Sequence, residues 1–210
     1  MQHVVFNQKG GVGKSTITCN LAAISASQGL RTLVIDLDSQ GNSSRYLLGA
    51  DMTDELPNVA EFFEQSLKFT VRDKPASDYI SETQWPNLDV LPSSPLLDEL
   101  HSKLESRHKI YKLRDALELL AADYDQIYID TPPALNFYTR SALIAAQGCL
   151  IPFDCEVQNA LELPLSFKLI QPDMKRQNPL VIRPLSTRTR QEVGLSAATN
   201  TVPGNFSFAV

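Results

Sequence analysis

Eight consecutive residues near the start of the chain, Lys9-Gly10-Gly11-Val12-Gly13-Lys14-Ser15-Thr16, place two ammonium groups and two hydroxyls on a backbone that glycine frees to turn tightly. Such a turn points successive N–H groups inward, and that concavity binds anions. The apolar run Val4-Val5-Phe6 before it reads as a strand, and Ile17, Leu21 and Ile24 after it fall on one helical face. Strand, glycine-rich loop and helix in that order are the setting of a phosphate loop. The helix would add the positive end of its dipole to the same anion. In such a loop Lys14 reaches the β- and γ-phosphates of a nucleotide and the Ser15 hydroxyl ligates Mg²⁺. A glycine-rich turn ahead of an ordinary helix is the plainer reading of the same letters. Lys9, on spacing alone, fits either a solvated loop charge or a second cation that offsets charge on the transferring phosphoryl group.

Two groups of carboxylates lie further along. Arg31 to Asp36 reads as a buried strand after a helix stopped by Gly29, giving a βαβ unit and hence a parallel sheet. It runs into Asp36-Leu37-Asp38-Ser39-Gln40-Gly41-Asn42. Carboxyl ends of strands in open parallel sheets face the ligand crevice, so these side chains project toward the phosphates. Capping of the next helix is the alternative for the two aspartates. Tyr124 to Pro133 contains a second apolar strand, ending in Asp130, which is the Walker B arrangement. There Asp130 holds Mg²⁺ through water, since that ion sheds its hydration shell reluctantly. Without the upstream loop, Asp130 would read as a turn or helix-cap residue.

The three stretches together resemble the ParA/MinD family of ATPases. K-G-G-V-G-K-S-T resembles the family's deviant Walker A motif. Asp36 to Asn42 is similar to its D-x-D-P-Q-G-N switch segment, with Ser39 where proline is usual. Y-I-D-T-P-P, Tyr128 to Pro133, resembles its second switch, and Phe153-Asp154-Cys155 resembles the chromosome- and plasmid-partition branch. The resemblance implies ATP and Mg²⁺ as ligands, with Gly10, Gly11, Val12, Gly13, Lys14, Ser15 and Thr16 cradling the phosphates. It implies that Lys9 crosses a dimer interface to the partner's ATP and that Asp38 orients the attacking water, so Lys9, Lys14 and Asp38 are the catalytic set. Ser15, Asp36 and Asp130 are the metal set, with Asp36 near the water shell.

As a function it implies a slow ParA-type partitioning ATPase that drives plasmid or chromosome segregation. The ATP-sandwich homodimer would hold non-specific DNA, and a ParB-type centromere-binding protein would stimulate hydrolysis. Its place would be the cytoplasm, on the nucleoid, with no membrane expected. The alternatives are a MinD-like or polar-positioning ATPase on a membrane or protein scaffold, and a hydrolysis-deficient interaction protein. A MinD-like protein needs a basic, apolar amphipathic helix at its C-terminus, and Thr201 to Val210 contains no basic residue.

The elements that must hold these groups define an α/β chain: a P-loop NTPase with a mostly parallel, doubly wound sheet and helices on both faces. Helices are expected at Ser43–Leu48, Val59–Phe63, Lys109–Ala121 and Phe137–Ala146. Another starts near Ser93-Ser94-Pro95-Leu96, with Leu96, Leu97, Leu100 and Leu104 inward. Strands are expected at Asn87–Pro92 and Gly148–Phe153, and Lys68 to Trp85 reads as a surface excursion. The 210 residues suit one domain, 43% hydrophobic and 20% charged, as in an ordinary globular chain. No run approaches the roughly 18 apolar residues of a membrane span, and the chain enters its first strand without a signal sequence. Cys19, Cys149 and Cys155 lack C-x-x-C spacing, which argues against a disulfide framework or an iron–sulfur cluster.

The resemblance runs over residues 1–156, the ATPase domain. Residues 157–210 form a divergent, basic end of the same domain, expected to be partly disordered. A divergent tail and a shifted reading frame both account for it. Ala160 to Ile170 fits a helix interrupted by Pro164, and Leu180-Val181-Ile182 fits a strand. Net charge is -5 overall, yet this end holds Lys168, Lys175, Arg176, Arg183, Arg188 and Arg190 against three acids. That excess fits either a DNA-contact surface or a solvated face.

Overall fold

The computed structural model describes residues 1–53, 55–68, 73–153 and 181–186. They form a seven-stranded sheet in the order β3-β4-β2-β5-β1-β6-β7. The strands are β1 (Gln2–Val5), β2 (Thr32–Asp36), β3 (Ser81–Glu82), β4 (Leu88–Leu91), β5 (Gln126–Asp130), β6 (Gly148–Phe153) and β7 (Val181–Ser186). All pairings are parallel except β3 with β4. The helices are α1 (Lys14–Ser27), α2 (Asn42–Leu48), α3 (Val59–Glu64), α4 (Leu97–Ser106), α5 (Lys112–Leu120) and α6 (Phe137–Ala145).

The sheet is doubly wound because its strands are apolar toward both faces. Every residue of β2 is buried, as parallel strands covered by helices on both sides must be. One face carries Leu33, Ile35, Ile127 and Ile129 against α3 to α6. There Phe63 meets the rings of Phe137 and Tyr138 edge-on, at 5.8 and 5.5 Å between centroids. The other face carries Val34, Val90 and Tyr128 against Ala22 and Ala26 of α1 and Leu47 and Leu48 of α2.

Several boundaries and faces differ from the sequence reading. α1 buries Lys14, Thr18, Ala22, Ser25 and Ala26, while Ile24 is 54% exposed. Small residues win that face because the helix lies close to the sheet, with the Ser25 hydroxyl 3.0 Å from the Tyr128 hydroxyl. α4 starts at Leu97, after Leu96, whose N–H is bonded to the Ser94 hydroxyl, and Leu96 is exposed. Within the excursion after Lys68, a 3₁₀ turn at Ala76–Tyr79 buries both of its end residues against Phe62 and its neighbours. β7 continues through Arg183 and Pro184 to Ser186 beside β6, beyond the Leu180-Val181-Ile182 stretch that the sequence marks as a strand. A proline is compatible with a strand at the end of the sheet order. The helix expected at Ala160–Ile170, the disorder expected toward the C-terminus, Asp154 and Cys155 lie outside the described residues. Among those described, no helix is long and apolar enough to cross a membrane.

Candidate nucleotide site

Register assembles the site. β5 pairs Asp130 with Val5 of β1 on one side and with Asp36 of β2 on the other. Two carboxylates and the root of the glycine loop therefore reach the same sheet edge on neighbouring strands, about 4.8 Å apart. Asp36 and Asp130 are fully buried, and Lys14 and Asp38 nearly so.

The loop itself needs its glycines for conformation. Gly11 and Gly13 have φ of +75° and +83°, with no atom near where a Cβ would stand, so backbone conformation rather than crowding selects glycine. Gly13 precedes α1 without a side-chain cap. The first N–H groups of that helix therefore face the loop and suit an anion. Val12 is buried beneath the turn. Lys14 Nζ donates to the Lys9 carbonyl at 3.2 Å. Burial lowers the ammonium's pKa, and Asp130 and Asp38 partly restore it. Lys9 and Thr16 are exposed, so neither belongs to the buried cluster, and the Lys9 N–H is held by Asn7 Oδ1 at 2.9 Å.

The carboxylates are held by serines. Ser43 Oγ donates to Asp130 Oδ2 at 2.7 Å, and the Ser15 hydroxyl is hydrogen-bonded to the same carboxylate. Asp36 Oδ2 accepts from both the N–H and the hydroxyl of Ser44, each at 2.8 Å, and Oδ1 accepts from the Asp38 N–H. The Ser44 hydroxyl also accepts from the Ser93 N–H, and the Ser93 hydroxyl donates to the Asp38 carbonyl. Asp38 Oδ1 accepts from Gln40 N–H, and the Asp38 carbonyl closes a turn to Gly41, whose φ is +63°. The turn closes without the proline that Ser39 replaces.

Burial first, and then the charge of Asp130, pushes the Asp36 carboxyl up. Burial likewise raises Asp130, against the Ser15 and Ser43 hydroxyls and Lys14, while Asp38 adds to the rise. Three acids thus share one buried ammonium, and carboxylate and hydroxyl oxygens are the donors a hard divalent cation takes. Among the described residues no three His, Cys, Asp or Glu converge as a metal cage. A cation here would need phosphate and water oxygens as well, as Mg²⁺ does beside a nucleotide.

The structure thus brings Lys14, Ser15, Asp36, Asp38 and Asp130 together. Sequence reasoning missed Asn7, Ser43, Ser44, Ser93 and Thr131. Thr131 ties Asp130 to β1, its hydroxyl donating to the Val5 carbonyl at 2.7 Å. The placement of Ser43 and Ser44 on a helix start beside two aspartates was the available signal.

A strand, a glycine loop, a helix and buried acids at the carboxyl edge of a parallel sheet define a P-loop nucleotide-binding protein. The profile of a family described as an AAA domain matches residues 2–177. The chain belongs to that family. It is 36% identical over 185 residues to the chromosome partitioning protein ParA of Myxococcus xanthus, covering 84% of this chain and 62% of that protein. Among solved structures, it is 30% identical to cobyrinic acid a,c-diamide synthase from Mycobacterium smegmatis with bound ATP analogue and magnesium. That match has a TM-score of 0.74 over 87% of this chain and 73% of the other. A plasmid partition protein from Borrelia burgdorferi bound to AMPPNP is 26% identical, with a TM-score of 0.70 over 87% and 74%. The chain spans 55% to 62% of the length of the chromosome partitioning proteins it matches.

Proposed function

We propose that this chain is a partitioning ATPase of the ParA type, which binds ATP with Mg²⁺ on the Gly10–Thr16 loop and hydrolyses it slowly. The observation that carries the reading is the buried cluster of Lys14, Ser15, Asp36, Asp38 and Asp130, which holds more negative charge than one ammonium balances. Such a site is poised for a cation and a phosphate chain together. Ser15 and Asp130 would hold Mg²⁺, with Asp36 behind them. The ion would supply charge neutralisation on the transferring phosphate.

Lys14 binds the phosphates from within the loop, and Asp38, on the turn between β2 and α2, orients the attacking water. Lys9, exposed on the outer side of the loop, serves the nucleotide of a second copy, so ATP binding and face-to-face dimerisation are one event. Two features support this reading: the likeness to chromosome and plasmid partition proteins, and the placement of Lys9 outside the buried cluster. Non-specific DNA and a ParB-type centromere-binding partner are the expected ligands of the dimer, on the nucleoid in the cytoplasm. Catalysis by positioning and electrostatics alone makes unstimulated turnover slow.

The test is light scattering behind a sizing column on Asp38→Ala, with Mg-ATP and then with Mg-ADP. A dimer with ATP alone is expected. A monomer under both conditions would refute the sandwich.

A further inference from the structure

The peptide of Lys9 is held at both ends. Its N–H donates to Asn7 Oδ1 at 2.9 Å, and its carbonyl accepts from Lys14 Nζ at 3.2 Å. Asn7 is itself anchored, its Nδ2 donating to the Pro152 carbonyl on β6 at 2.8 Å. One side chain therefore joins the end of β1, the loop and the end of β6. The two bonds also fix which way the amide points. A flipped Asn7 would set oxygen against the Pro152 carbonyl and NH₂ against the Lys9 N–H.

We propose that Asn7 is a positioning residue that sets the Lys9 ammonium for the nucleotide of a second copy of this chain. The proposal rests on the dimer reading above. Lysine has a long stem, and ordering it costs rotamer freedom. If its Cα were mobile too, the cost of reaching a fixed phosphate on another subunit would rise further. The Asn7 clamp removes that second cost in advance, as preorganisation does in other complexes. The amide is suited to the place. Aspartate keeps the acceptor for the Lys9 N–H but sets a charged oxygen against the Pro152 carbonyl, and alanine loses both bonds.

The same geometry assigns Asn7 no role in holding a nucleotide within its own subunit. The backbone of Gly10 to Thr16 and the Lys14 ammonium supply that, and Asn7 bonds Lys9 at its N–H while Lys14 bonds it at its carbonyl, so the two contacts are separate. Asn7 should therefore separate two properties that a general loss of loop structure would lower together.

The experiment is a double-mutant cycle of Asn7→Ala and Lys9→Ala on the full chain in the Asp38→Ala background, with Asn7→Asp as a second probe. Nucleotide affinity is read with a fluorescent ATP analogue on dilute protein, and the dimer dissociation constant by sedimentation with Mg-ATP. Asn7→Ala is expected to leave nucleotide affinity within about threefold and to weaken the dimer about tenfold, the worth of roughly one hydrogen bond. Asn7→Asp is expected to weaken the dimer less. On top of Lys9→Ala, Asn7→Ala should add nothing, since the two act as one unit. Additive losses, an unchanged dimer, or nucleotide affinity falling as far as dimerisation would overturn the positioning role while leaving the dimer intact. A parent that stays monomeric with ATP would overturn the dimer reading, and this inference with it.

Discussion

Above pH 7, where the Asp36 carboxyl is ionised, replacing Asp130 with asparagine should stabilise the nucleotide-free protein and remove most of the stabilisation that Mg-ATP gives. Asp36 and Asp130 are paired across β2 and β5, both fully buried. At the strand spacing of about 4.8 Å, two like charges cost about 3 kcal/mol at an effective dielectric of about 20. The new carboxamide keeps an oxygen for the Ser43 hydroxyl but brings an NH₂ that must find a partner, and it gives up the attraction of Lys14. A net gain of about 1–2 kcal/mol remains after such a loss of roughly 1 kcal/mol. For a chain of this size that is a rise in Tm of about 3–6 °C. With Mg-ATP at a hundred times its Kd the native protein should gain about 2.7 kcal/mol, and the variant far less, so the order of the two melts reverses.

The pH dependence has a definite sign. A buried acid whose carboxyl is raised favours the folded state when protonated. Its contribution is complete below the unfolded value of about 4 and is lost as pH rises to the folded value of about 7. The nucleotide-free native protein should therefore melt lower as pH rises through that window, and Asp130→Asn should flatten the slope. Scanning calorimetry from pH 5 to 8, with and without Mg-ATP, reads both effects. At pH 8, a variant that melts below the native protein without nucleotide would refute the repulsion on which this reasoning stands.

Lys14→Ala should abolish nucleotide binding in a titration, and retained affinity would remove the loop assignment. Gly148→Ala would place a methyl 2.6 Å from Nδ1 of His3, a ring stacked on Tyr128 at 5.7 Å. A loss of about 1–3 kcal/mol is expected from overpacking, and an unchanged denaturant midpoint would mean the imidazole swings aside at no cost. On α1, Ile24→Glu should alter stability by no more than about 0.5 kcal/mol, whereas Ala22→Leu, at a fully buried position, should lose about 1–3 kcal/mol. The reverse ranking in chemical denaturation would show that the helix is turned the other way.

What could be read from the sequence followed the strength of its local signals. The phosphate loop, the two aspartate-ended strands and the apolar stripe Leu113, Leu117, Leu120 of α5 each carry their meaning within a few residues, and the structure has them where expected. The buried face of α1 is hidden from such a reading because alanine and serine lose a hydrophobicity count to isoleucine, although small residues allow a helix to approach a sheet closely. Ser43 and Ser44 left only a faint local signal beside Asp36 and Asp38, and Ser93 none, since the bonds of Ser43 to Asp130 and of Ser93 to Ser44 join segments 87 and 49 residues apart. Asn7 is silent for the same reason, its partner being 145 residues away. The bend from Ser94 to Leu97 shows a subtler limit. The serine and proline do mark a chain reversal, but the hydroxyl serves a turn ahead of the helix rather than its cap.

The position of β1 in the sheet also bears on how the protein is made. His3 lies beside Tyr128 and beside Gly148, so β1 pairs with two strands that are translated long after it. At 5–20 residues per second, synthesis leaves on the order of 10 s between the appearance of β1 and that of β5. Throughout that interval Val4, Val5 and Phe6 have no sheet to enter, and the glycine loop has nothing to brace it. Early β2 and β4 can pair with each other, but the slot between them and β6 closes only when both flanking strands exist. Non-local pairing of this kind folds slowly and exposes apolar segments meanwhile. The glycine loop is thus translated well before it can gain its shape, and a nascent chain stalled before residue 126 would have the motif without the site.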